Sequence, residues 1–157
     1  MRNNLGGVII LIIIVGVISY VAYDSYTCDD CNEKADYSTA TFVVDGNPAV
    51  NITLASTAVE RAKGLMNVSY MHPDQGMLFL FQTPTNTFFW MKGTLIPLDM
   101  MFVKDDVIMY IAHNATPCKV DQCPTFGPGQ YYDYVVETNA GYAKQHGIDV
   151  GVEVKLD

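Results

Sequence analysis

The sequence predicts an all-β domain, an antiparallel sandwich or partly open barrel of about eight strands with two short helices, carried behind one N-terminal transmembrane helix. Three observations predict it. Beyond residue 38 the chain breaks into short runs rich in Val, Ile, Phe, Tyr and Thr, separated by Gly, Pro, Asn and Asp. The helix-like stretches among them are only a turn or two long, too short to build a helical layer. The segment Leu5 to Tyr23, "LGGVIILIIIVGVISYVAY", is nineteen residues without a charge, about 28 Å as a helix at ~1.5 Å per residue, which spans a bilayer.

Residues 1–23 are therefore read as a retained anchor. A cleaved signal peptide competes, but the apolar run exceeds the usual ~7 to 15 residues and no small-x-small site follows it. Lipidation of Cys28 fits poorly after Tyr26 and Thr27. Arg2 lies on one side of the span and the acidic "DSYTCDDCNEKAD" on the other. Basic flanks stay cytoplasmic, so the C-terminal part is expected outside the cell membrane, as a single-pass protein.

Residues 24–38 are polar, acidic and without apolar period, and read as a tether. Residues 39–157 are the outward β domain. "TATFVV" and "AVNITLA" form a hairpin across the turn chemistry of "DGNP", with Val50, Ile52 and Leu54 alternating against Asn51 and Thr53. In "TAVERAKGLM", Thr57 is the N-cap, Glu60 closes a capping box and Gly64 stops a short helix. "GMLFLF", "TFFWMK", "DMMFV" and "VIMYIAH" are strand-like. "YYDYVVE" is a further strand, "NAGYAKQHG" a second short helix ending at Gly147, and "VEVKL" the last strand.

The four cysteines, Cys28, Cys31, Cys118 and Cys123, all follow the span in two short-range pairs, as expected of disulfides in an oxidising compartment. Three connectivities are open, and the local one is favoured. Three sequons, at Asn51, Asn67 and Asn114, point to an exported, glycosylated surface. Seventeen acids against eight bases in residues 24–157 repel phosphate backbones, which excludes nucleic acid as the natural partner.

"FFWMKGTLIPLDMMF" carries Lys92 and Asp99 inside an apolar stretch. A buried charge is costly unless paired or bonded, so the two are expected at one edge of the sheet, close enough to pair. Strand alternation puts Phe88, Trp90 and Lys92 on one face and Phe89 and Met91 on the other. With Phe89 and Met91 inward, Trp90, Lys92, Thr94 and Asp99 outline a shallow binding surface. The competing reading is structural: Trp90 in the core, Lys92 snorkelling to the rim, Asp99 capping the turn after Pro97 or pairing with Lys92. Glu60 is spent on its capping box, which leaves Arg61 able to fork onto a carboxylate such as Asp99.

The blocks "ERAKGLMNVSYMHPDQGMLFLF" and "FFWMKGTLIPLDMMFV", with the tail "YVVETNAGYAKQHGIDVG", resemble the uncharacterised archaeal and bacterial family called domain of unknown function 192. The resemblance covers about Ala40 to Leu156 and implies a compact all-β fold behind a signal or single anchor, with no established activity. Two positions depart from the family pattern. Gly93 stands where the family has Asn after the Lys of Trp-Met-Lys, and Val68 stands where it has Arg after Gly-Leu-Met.

No catalytic residue is named. His72, His113 and His146 fall in unrelated contexts, and no Ser or Cys sits on a nucleophile turn. The expectation is a binding, accessory or scaffold module at the cell envelope, possessing no cofactor, whose partner is a membrane or envelope protein, a glycan or a small polar ligand. The alternatives are copper or zinc handling, or thiol redox, through Cys28 and Cys31, and an uncharacterised hydrolase.

Overall fold

The structure, a computed structural model, describes residues 39–44 and 46–157. The expected anchor (1–23), the tether (24–38) and the pair Cys28 and Cys31 lie outside them. No helix among the described residues is long and apolar enough to cross a membrane.

The chain opens with the expected hairpin: β1 (Thr39–Val44) and β2 (Val50–Ala55) run antiparallel, with Phe42 opposite Val50. Helix α1 (Ala58–Lys63) follows, and its capping box forms as the sequence predicts. Thr57 Oγ1 accepts from the Glu60 N–H at 3.2 Å, and the Glu60 carboxylate accepts from the Thr57 and Ser56 N–H groups, both at 2.8 Å. Those backbone donors, Thr57 first, hold the Glu60 carboxyl below the usual range. Then come β3 (Gln75–Thr85), β4 (Phe89–Trp90), β5 (Leu98–Lys104), β6 (Val107–Ala115), β7 (Thr125–Phe126), β8 (Tyr132–Asn139), helix α2 (Tyr142–Gln145) and β9 (Val154–Leu156).

Seven strands form one sheet in the order β6-β5-β8-β3-β2-β1-β9, and β4 pairs with β7 in a small second sheet. The large sheet curls into a half-barrel. The start of β6 meets the segment that leads into β9, where Val107 faces Glu153, Ile108 N–H donates to the Val152 carbonyl at 3.0 Å and Val154 N–H to the Asp106 carbonyl at 2.9 Å. The all-β expectation holds, with two corrections. β2 and β3 pair in parallel, Ile52 opposite Gly76, and α1 is carried in the crossover between them. Residues 56–74 are long enough to make that return, which a tight turn cannot. The sheet is therefore mixed, and one βαβ unit sits inside an otherwise antiparallel fold. A second correction is to "TFFWMK": only Phe89 and Trp90 pair as strand, against Thr125 and Phe126.

Both faces of the central strands are buried. Every residue of β5 from Leu98 to Val103 is enclosed, which in a sheet means cover on each side. Inside the half-barrel lie Phe42, Ile52, Leu78, Met101, Val103, Ile108 and Val136 with Tyr142 and Ala143 of α2. On the outer face Met77, Phe79, Met100, Phe102 and Val135 pack beneath Leu65 and Met91. That outer cover is made by the segment that follows α1 and by the excursion carrying β4, and the site lies there.

The expected local disulfide is present between Cys118 and Cys123, with Cα atoms 5.8 Å apart. It closes the loop that delivers β7 to β4, and Cys118 N–H donates to the Met91 carbonyl at 3.3 Å.

Candidate ligand-binding cleft

Strand alternation sorts Phe88 to Lys92 as expected. Met91 is fully buried and Phe89 half-buried, whereas Phe88, Trp90 and Lys92 are exposed. Trp90 is 51 % exposed, so the reading that places the indole in the core is overturned. Lys92 Nζ sits 5.6 Å from the centre of its ring, a cation–π contact that holds the ammonium over the indole.

The reversal at Gly93 returns the chain over Met66. Gly93 has φ +72°, in the left-handed region that Gly adopts freely and that Asn tolerates better than most residues. Gly93 in place of the family's Asn is therefore a swap between the residue types this backbone admits. Thr94 then pairs with Met66 and is buried.

Asp99 goes elsewhere. It points to the interior of the half-barrel with Met101 and Val103 and is fully buried. Its two carboxylate oxygens accept the Asn114 N–H at 2.8 Å and the Ala143 N–H at 3.0 Å. It ties the end of β6 to the first turn of α2, whose N-cap Gly141 has no side chain to do so. The expected Lys92–Asp99 pair does not form, because one more residue along β5 turns the side chain to the opposite face of the sheet. Arg61 does not reach Asp99 either. Its Nη1 donates to the carbonyls of Ser56 and, at 3.0 Å, Leu80, and its guanidinium lies 5.1 Å from the Phe81 ring centre.

What the structure does bring together is a cleft of about 570 Å³ between α1, the end of β3 and the β4 excursion. Arg61, Trp90, Lys92 and Thr94, four of the five expected binding residues, line it; Asp99 does not. Its walls are aromatic. Phe79 and Phe89 meet edge to face at 5.0 Å at its lining, and behind them the buried Phe102 meets Phe89 at 5.6 Å and Tyr132 at 5.0 Å. Tyr132 also donates to the Thr87 carbonyl at 2.6 Å, which fastens the excursion to β8. This linked set of rings makes the wall stiff.

The residue that sequence reasoning missed is Glu137. It stands on β8 between Met77 of β3 and Met100 of β5, on the face that floors the cleft. It is 4 % exposed, and among the described residues its carboxyl has no hydrogen-bond partner. Apolar enclosure pushes its pKa up to about 8, so the group is largely neutral near pH 7. Gly76 fixes its backbone: a Cβ there would stand 2.6 Å from the Glu137 carbonyl oxygen. In "YVVETN" one acid beside Thr and Asn reads as a strand end, and only the pairing of β8 between two covered strands reveals it as interior.

The other expected sites are dispersed. Asn51, Asn67 and Asn114 are all exposed, on β2, after α1 and near the end of β6. Among the described residues no three His, Cys, Asp or Glu side chains gather to hold a metal.

Two solved structures are similar over most of the chain. One is a crystal structure of a "putative transcription regulator" from Sinorhizobium meliloti, 30% identical, with a TM-score of 0.68, covering 78% of this chain and 97% of its own. The other is a protein of unknown function from Novosphingobium aromaticivorans, 35% identical, with a TM-score of 0.67, covering 76% of this chain and 84% of its own. No curated protein matches. The family model DUF192, uncharacterized ACR, matches residues 40–156, the same span that carries the cleft, Glu137 and the disulfide, and the chain belongs to that family.

Proposed function

We propose that residues 39–157 are a ligand-binding module of the cell envelope, held outside the membrane by the span at 5–23. The observation that carries the binding reading is a buried carboxyl without a protein partner on the floor of an aromatic cleft. A carboxyl so enclosed is costly to ionise. A fold keeps such a group at little profit unless something outside the chain completes it. A small ligand suits the geometry better than a protein partner, because the polar group lies at the bottom of a concavity.

The transcription-regulator description of the Sinorhizobium protein is not carried over. Residues 39–157 hold twelve acids and seven bases, a balance that repels nucleic acid. Hydrolysis finds no support in the cleft, where Glu137 stands without a second carboxylate or a nucleophile with its base. Metal or thiol chemistry would rest on Cys28 and Cys31, outside the described residues.

The chain has a single tryptophan, and it stands at the cleft. Its emission, read in the full chain reconstituted in lipid nanodiscs, reports occupancy directly. Titration with a panel of water-soluble aromatic and saccharide compounds is expected to give at least one saturable change that Glu137→Leu abolishes. A flat response across the panel sinks the binding reading. Protease added to intact cells tests topology separately: a domain left uncut is not outside.

A further inference from the structure

The charges around the cleft are sorted. Of the seven bases in residues 39–157, Arg61 and Lys92 line it beside Lys63, which is engaged in an interaction of its own; of the twelve acids, only Glu137 does. In a chain of net charge −8, this is a local inversion of sign, and Glu137, largely neutral near pH 7, does not cancel it. A cation entering would face like charge at the mouth and find no full negative charge on the floor. An anion meets the reverse. Arg61 is partly spent on two backbone carbonyls, but Lys92 Nζ, over the Trp90 ring, meets no carboxylate among the described residues. It is placed to take one from a ligand.

The floor asks for something different. A protonated carboxyl both donates and accepts, so it pairs best with a hydroxyl or an amide rather than with a second charge. Between floor and mouth the walls are ring faces and edges, which favour a flat apolar body.

We propose that the cleft takes a small planar carboxylate whose charged end meets Lys92 at the mouth, whose apolar body lies along Phe89 and Trp90, and whose far end presents a hydroxyl or amide to Glu137. This rests on the binding reading above and gives it a ligand class.

The test uses one scaffold with its ends varied: 6-hydroxy-2-naphthoate, its neutral carboxamide, the corresponding aminomethyl cation, and 2-naphthoate without the hydroxyl. Each is measured by equilibrium dialysis against the full chain in nanodiscs, with empty nanodiscs subtracted. The hydroxynaphthoate is expected to bind about tenfold more tightly than the carboxamide, the size of one charge-assisted hydrogen bond, with the cation weakest. Removing the hydroxyl is expected to cost a similar factor. Lys92→Met should erase the preference for the anion while leaving the carboxamide's affinity in place. Glu137→Gln should keep the preference for the hydroxyl, and Glu137→Leu should lose it without weakening 2-naphthoate. A cation that binds as tightly as the anion, or a hydroxyl that makes no difference, overturns the ligand class while the cleft stays a binding site. If none of the four binds, the binding reading falls together with it.

Discussion

Glu137 makes the stability of the domain depend on pH in a way that can be worked out. Its folded pKa is about 8, against an ordinary 4.5 in an open chain. Between those values the folded state keeps a proton that the unfolded chain gives up, so folding is coupled to proton uptake. The contribution is complete below 4.5 and is lost as pH rises through about 8. At ~1.4 kcal/mol per pH unit, raising pH from 5 to 7.5 removes about 3 kcal/mol. That corresponds to roughly 10 °C in Tm for a domain of this size. Glu137→Gln has no proton to exchange and removes this slope. The assay is thermal unfolding of wild type and Glu137→Gln in nanodiscs from pH 5 to 8.5, followed by Trp90 emission. The gap between the two melting curves should widen in favour of the variant up to about pH 8 and then level off. Parallel profiles across that range would refute the argument, because they would mean that Glu137 reaches solvent or a partner that keeps it ionised.

Asp99→Ala is expected to cost about 3 kcal/mol or more, since it deprives two backbone N–H groups, of Asn114 and Ala143, of a buried carboxylate. A loss under 1 kcal/mol by denaturant titration would mean that the α2 turn holds itself. Lys92→Met should change stability by less than ~1 kcal/mol, because its ammonium is exposed and, among the described residues, rests only over the Trp90 ring. A larger change in Tm would make Lys92 structural. Reducing Cys118–Cys123 should cost about 2 kcal/mol, the modest amount expected of a short loop. Thiols at both positions in non-reduced peptide mapping would show that no such bond forms.

Features set by neighbours in sequence are legible without coordinates. The hairpin at "DGNP", the capping box of Thr57 and Glu60, the cysteine clamp and the alternation that exposes Trp90 all depend on spacings of a few residues. What the sequence hides is long-range. Lys92 and Asp99 look like neighbours, yet Asp99 serves Ala143, forty-four positions on, because strand parity outweighs proximity along the chain. Arg61 looks unoccupied until β3 brings the Leu80 carbonyl beside it. Glu137 looks like a strand end until β8 is seen inserted between β3 and β5, with Met77 and Met100 on either side of it. Alternation along a strand shows which residues share a face, but not whether the second face is covered. Here both faces are, which is why polar positions that read as surface turn out to be floor and interior.

The pairing of β9 with β1 has a kinetic side. Thr41 and Asp157 exchange backbone hydrogen bonds at 2.8 and 3.0 Å, and Phe42 stands opposite Leu156. The first described strand of the domain is thus completed by β9, more than a hundred residues further on. Until then the outer edge of β1 offers unsatisfied N–H and C=O groups to any passing strand, a template for misassociation. The hairpin of β1 and β2 can form early, but closing the half-barrel is the contact of highest sequence separation and carries the largest loop-closure entropy. Productive folding is therefore a late event. A nascent chain stalled before β9 is expected to be the aggregation-prone species, and any factor that shields the β1 edge during synthesis would raise the yield of folded protein without touching its final stability.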